Sequence, residues 1–136
     1  MSSTASSSLC GGSVISQHAV LTAAHCTLQN VQSFLVIAGA YNRNRVEENQ
    51  QRRTVPASGF VPHPNYNPFR LLNDIAILHI DQPFVFNRFV QPVAIASNDQ
   101  ERFVGTEVAV SGKFNFNFVN KKKLNKFSYI MLNLNL

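Results

Sequence analysis

The sequence has no tryptophan, two cysteines, and seven acidic residues against twelve lysines and arginines in 136 positions. It contains no run approaching the roughly 20 apolar residues that a membrane-spanning helix needs. Met1–Ser8 is serine-rich, with neither a basic start nor an apolar stretch, so it does not read as a secretory signal peptide. No internal repeat occurs, and no long segment carries the 3.6-residue apolar period of an amphipathic helix. With only two cysteines and no Cys-x-x-Cys spacing, the chain does not read as a zinc site. The composition that remains, 45% hydrophobic and 14% charged, is that of one ordinary globular domain rather than a disordered chain.

The shortage of acid is local. Residues 113–136 hold five lysines and no acid, whereas residues 1–112 hold seven arginines and all seven acids, a balance of zero. The net charge of +5 therefore belongs to the tail alone and does not indicate a nucleic-acid or anionic-membrane surface on the folded part. The tail differs in kind as well: 18 of its 24 residues are Phe, Tyr, Met, Ile, Asn or Lys, the amino acids of AT-rich codons. Gly112-Lys113 can be encoded by GGT-AAA or GGT-AAG, which contains an intron start. Residues 113–136 thus read as translated intron, the alternative being a genuine basic, Asn-rich extension.

Up to Gly112 the chain alternates short apolar runs with turn material. Ser13–Ile15, Ala19–Thr22, Phe34–Ala38, Asp74–Ile80 and Glu107–Ser111 are strand-sized and rich in Val, Ile and Leu. Segments such as Tyr41–Arg45 and Pro62–Pro68 separate them, and Ala23–Thr27 fits a single helical turn. This pattern predicts an all-β domain, a small barrel or sandwich.

Two blocks carry chemistry. In Leu21-Thr22-Ala23-Ala24-His25-Cys26, small residues allow a tight turn that seats an imidazole, whose ordinary pKa near 6.5 suits a general base at neutral pH. In Leu72-Asn73-Asp74-Ile75-Ala76-Ile77-Leu78, a carboxylate opens an apolar run, where it needs a partner. A histidine N–H is such a partner, and an aspartate on Nδ1–H selects the tautomer that leaves Nε2 free. His18, His63 and His79 read as ordinary surface or core residues, and Asp81 and Asp99 as caps or turn residues. Taken alone, Cys10 and Cys26 are compatible with a disulfide, free thiols, or zinc ligands beside His25.

Together these blocks resemble the trypsin/chymotrypsin-like (S1-type) serine protease family, its N-terminal half only. Cys10-Gly11-Gly12-Ser13, the His25 block and the Asp74 block stand in the family's order, with His63-Pro64-Asn65-Tyr66-Asn67, Gln91-Pro92-Val93 and Val110-Ser111-Gly112 between and after them. The resemblance spans residues 9–112, with 1–8 as a replaced or truncated N-terminus. It implies an antiparallel Greek-key β-barrel, the N-terminal barrel of a two-barrel fold, here incomplete. It implies that His25 is the general base, Asp74 its orienting carboxylate, and Cys10–Cys26 a disulfide bracketing the histidine. It further implies a protein or peptide substrate, an extracellular location, and no cofactor, nucleic-acid or membrane partner. Oligomeric state is not implied.

The departures are equally specific. The family's nucleophilic serine stands in a Gly-Asp-Ser-Gly-Gly-Pro block, and none occurs here. The family continues Val-Ser-Gly with Trp-Gly, where this chain has Lys113-Phe114. The face that meets the second barrel would be exposed, and the strand that precedes the Cys10 strand in the family is lost or replaced, leaving an orphan edge; together these predict poor solubility. Some members bind calcium with a glutamate where Gly39-Ala40 stands; Glu47 and Glu48 follow, but the pattern is broken and no calcium site is expected. The reading is a serine endopeptidase at family level, inactive as written. The alternative is a non-catalytic homologue that acts by binding.

Overall fold

The computed structural model describes residues 9–28, 30–42 and 45–95, together with the backbone of residues 130–135. Seven strands form: β1 (Leu9–Ser16), β2 (Ala19–Thr22), β3 (Ser33–Ala38), β4 (Gln51–Pro56), β5 (Phe60–Pro62), β6 (Ala76–His79) and β7 (Ile130–Asn135). Every pairing is antiparallel, in the order β4-β3-β7-β1-β2-β6-β5. The only helical segments among the described residues are two 3₁₀ turns, Ala24–Cys26 and Ala57–Gly59. The all-β expectation therefore holds, as do four of the five expected runs; the fifth, Glu107–Ser111, lies outside the described residues.

Connectivity curls the sheet. The edge strands β4 and β5 are six strand spacings apart in sheet order, roughly 29 Å if flat. Yet only Ala57–Gly59 joins them, a link that reaches on the order of 10–15 Å. The sheet must therefore bend until its two edges approach, as in the barrel half of a trypsin-like fold. No ladder hydrogen bonds close β4 onto β5 among the described residues.

Side chains on the concave face form one core. Val14, Val20, Phe34, Val36, Val55, Leu78, Phe84 and Val90 are all essentially inaccessible. The ring of Phe60 packs on Phe34 with centroids 4.7 Å apart. Along β3 the alternate residues Phe34, Val36 and Ala38 are fully buried, which sets that strand's register. The segment after β6 seals one rim by backbone bonds from Ile80 N to His18 O and from Phe84 N to Gln17 O, each 2.9 Å. Edge strand β4 is covered by side chains rather than by a strand. Gln51 exchanges two hydrogen bonds with the Val85 backbone at 2.6 and 2.8 Å, and Arg53 donates to Gln82 O and Pro83 O at 2.8 and 2.9 Å.

The orphan edge expected beside the Cys10 strand is not left open. β7 lies there, hydrogen-bonded to β1 on one side and β3 on the other. Residues Ile130–Asn135 of the tail supply the strand that fills the position between β1 and β3.

Candidate functional site

The site begins where β2 ends. Thr22 closes β2, and its hydroxyl donates to Gly11 O at 2.9 Å, tying β2 back to β1. Ala23 is still extended (φ −89°, ψ 143°), after which Ala24–Cys26 make one 3₁₀ turn. Small residues are needed here because Ala24 is fully buried and leaves no room for a longer side chain. The turn is held by Cys26 N–H to Ala23 O at 3.2 Å, Thr27 N–H to Ala24 O at 2.9 Å and the Thr27 hydroxyl to Ala24 O at 2.8 Å. Cys26 is bonded to Cys10 of β1, with Cα atoms 6.4 Å apart. Of the three states open to the cysteines, the disulfide is the one that forms.

Asp74 arrives through sheet register. β2 pairs with β6 so that Thr22 faces Ala76. Continuing that antiparallel register two positions past Thr22 and two before Ala76 sets the 3₁₀ turn against Asp74. The approach to β6 is bent by Leu71 and Asn73, both in left-handed backbone (φ 51° and 56°). Asn73 is fixed by its side-chain amide donating to Asn65 O at 2.9 Å. An asparagine tolerates this backbone better than most residues.

The two functional blocks meet in a double contact. Asp74 Oδ1 accepts the backbone N–H of His25 at 2.8 Å, and Oδ2 lies 2.7 Å from His25 Nδ1. The backbone N–H of His25, then its ring, hold the Asp74 carboxyl below the usual aspartate range, against the opposing effect of burial. Asp74 is 24% exposed and His25 49%. A carboxylate on Nδ1 favours the Nδ1–H tautomer, which leaves the lone pair on Nε2. Nε2 lies 3.6 Å from Cys26 Sγ, a disulfide sulfur with no proton to donate.

The ligand atoms of Cys10, His25 and Cys26 lie within 4.8 Å of one another, but both sulfurs are spent in the disulfide. That leaves His25 Nε2 as a single donor, which does not make a metal site. Glu47 is likewise engaged. Its carboxylate accepts from the Tyr41 and Asn42 backbone N–H groups at 2.7 and 3.1 Å and from the Gln50 amide at 3.3 Å. The Tyr41 amide foremost pulls its pKa below the ordinary value.

The histidines read as structural behave so where hydrogen bonds define them. His18 Nδ1 lies 2.8 Å from Ile80 O, and His63 Nδ1 accepts the Asn65 N–H at 3.1 Å. Tyr66 was not singled out from the His63–Asn67 block, yet its phenol is coupled to the site: burial, then the Asp74 charge, raise its pKa. Only tertiary proximity reveals that link, because eight positions separate the two residues in an irregular loop.

The family model for Trypsin matches residues 1–129. Among individual proteins, the chain is similar to granzyme B of Homo sapiens, 37% identical over 103 residues that make up 76% of this chain and 40% of that protein. It is 34% identical to trypsin-2 of Salmo salar over 103 residues, 76% of this chain and 42% of that protein. It is 36% identical to coagulation factor IX of Cavia porcellus over 92 residues, 66% of this chain and 31% of that protein. The chain thus spans between about a third and two-fifths of the length of these relatives.

Proposed function

Because the chain belongs to the trypsin family of serine proteases, we propose that it carries the base-and-carboxylate half of a serine endopeptidase site, with His25 as general base and Asp74 as its orienting partner. The double contact between Asp74 and His25 supports this reading most directly. In the proposed cycle, Nε2 of His25 takes the proton of a serine hydroxyl as that oxygen attacks a peptide carbonyl, then delivers it to the leaving amine. Asp74 stays ionised and stabilises the imidazolium formed in between. Cys10–Cys26 anchors the turn that carries the base and fits an oxidising, extracellular compartment.

The 136 residues by themselves are proposed to be inactive as a peptidase. They hold no Gly-Asp-Ser-Gly-Gly block, so the motif that carries the family's nucleophile is absent from these residues. Loss of a triad serine alone costs about 10⁶ in kcat, roughly 8 kcal/mol of barrier. A purely binding homologue is the second reading, but the intact His25 and Asp74 favour descent from a working enzyme. Sequencing the source transcript across the Gly112 codon separates the two. Reads that splice into Trp-Gly and then Gly-Asp-Ser-Gly-Gly support the endopeptidase. Reads that run through Lys113, or that splice to an altered serine block, overturn it and support a binding role.

A further inference from the structure

The barrel contains a slot one strand wide, and what fills it comes from outside the span matched by the family model. Without β7, the first half of β1 (Leu9–Gly12) has no strand partner, because β2 pairs only with Ser13–Ser16. β3 would keep β4 on one side and lose its whole second ladder, Ser33–Ala38. Both faces of the slot then present rows of unpaired N–H and C=O groups. That is the condition under which a sheet accepts an extended peptide.

The register of β7 matches its sequence pattern. Ile130, Leu132 and Leu134 pair with Ala38, Val36 and Phe34, three positions that are fully buried. Met131, Asn133 and Asn135 pair with the intervening positions Ile37, Leu35 and Ser33. Sliding the strand by one residue would set Met131, Asn133 and Asn135 opposite Ala38, Val36 and Phe34 of β3, so the alternation Ile-x-Leu-x-Leu fits the register observed. On the other side Leu132 pairs with Cys10, whose disulfide partner Cys26 is adjacent to His25. A covalent route therefore joins the slot to the His25–Asp74 pair through β1 alone.

We propose that the β1–β3 slot is a strand-acceptor site, that the chain's own Ile130–Asn135 is its occupant, and that its occupancy positions His25 against Asp74 through the Cys10–Cys26 disulfide. β7 is a positioning element and touches no reacting group. This role holds whatever the genetic origin of the tail, since pairing requires only the alternating pattern. It is also independent of whether the chain ever acts on a peptide.

The test uses the full chain. Leu35→Cys with Asn133→Cys places two thiols at directly paired positions. Mild oxidation should form a second disulfide within the monomer, mapped by mass spectrometry as a 35–133 link. A link between copies, or none, overturns the proposal. In parallel, Leu132→Pro removes an N–H from a central strand. The expected result is a lower Tm together with loss or broadening of the downfield His25 Nδ1–H proton resonance. That resonance reports the His25–Asp74 pair rather than global folding. An unchanged Tm, or a lowered Tm with the resonance intact, overturns the coupling to the pair.

Discussion

Asp74 binds His25 at two points, the ring through Oδ2 and the main chain through Oδ1, so the carboxylate fixes both the tautomer of the imidazole and the turn that carries it. One group thus joins the strand β6 to the turn after β2. Replacing Asp74 with Asn keeps the shape but puts an N–H at one of these two acceptor positions. In Asp74→Asn, the downfield Nδ1–H resonance should vanish, and amide exchange at Ala24–Cys26 should speed up. Retention of both signals would show that the tautomer is set by something else.

The acid limb of stability follows from the same contact. Asp74 and Glu47 both have pKa values lowered by the N–H groups they accept, His25 for the first and Tyr41 for the second. A carboxyl depressed in the folded state contributes stability that is fully present above its unfolded pKa, about 3.9 for Asp and 4.3 for Glu. That contribution is lost as pH falls through the lower folded value. Tm should therefore be flat with respect to these groups above about pH 5 and decline below about pH 4. Asp74→Asn and Glu47→Gln should each lower Tm at neutral pH and flatten the decline. A parallel offset at every pH would exclude these carboxylates as its source.

Much of the site could be read along the chain because its signals are local. The small residues before His25 and the carboxylate ahead of an apolar run are contiguous patterns, and each became the turn or strand entry expected. β4 was missed because Gln51-Arg52-Arg53 is polar and only Val55 among its six residues is buried, so no apolar alternation marks it. Its partners are side-chain bonds to the 82–85 backbone, which no window on the sequence displays. β7 was missed for a different reason. Its alternation is visible, but the bias of codon usage in the tail masks it, and its place depends on the edge of β1 some 120 positions earlier. Asp74 meets His25 across 49 positions through the Thr22–Ala76 register, which only the assembled sheet determines.

The disulfide should matter to stability and to the pair together. Cys10–Cys26 closes a loop of 16 residues, a constraint worth ~3 kcal/mol in the chain-entropy account. Reduction, or the double substitution Cys10→Ala with Cys26→Ala, should lower Tm and weaken the Nδ1–H resonance at the same time. Denaturant melts of the oxidised and reduced chains measure the first effect. A shift in midpoint near zero would mean that the sheet alone holds β1 beside the turn.

Gly39 gives a test of the barrel that leaves the site untouched. It ends β3 in left-handed backbone, φ 72°, where an added Cβ would lie 2.8 Å from Asn49 O and 2.9 Å from Val90 Cγ2. The backbone penalty alone is about 1–2 kcal/mol for an L-residue, and both clashes press on groups with little freedom, a main-chain oxygen and a fully buried valine. Gly39→Ala should therefore lower stability by at least that amount. Gly11→Ala, where nothing among the described residues lies within 4 Å of the new Cβ, should stay within about 0.5 kcal/mol of the parent. The His25 Nδ1–H resonance should survive in Gly39→Ala at temperatures where the chain remains folded, because the groups the new Cβ would meet, Asn49, Val90 and Phe89, make none of the hydrogen bonds that join His25 to Asp74. Equal destabilisation by the two alanines would mean that the turn after β3 relaxes freely and that its left-handed geometry does not anchor the barrel.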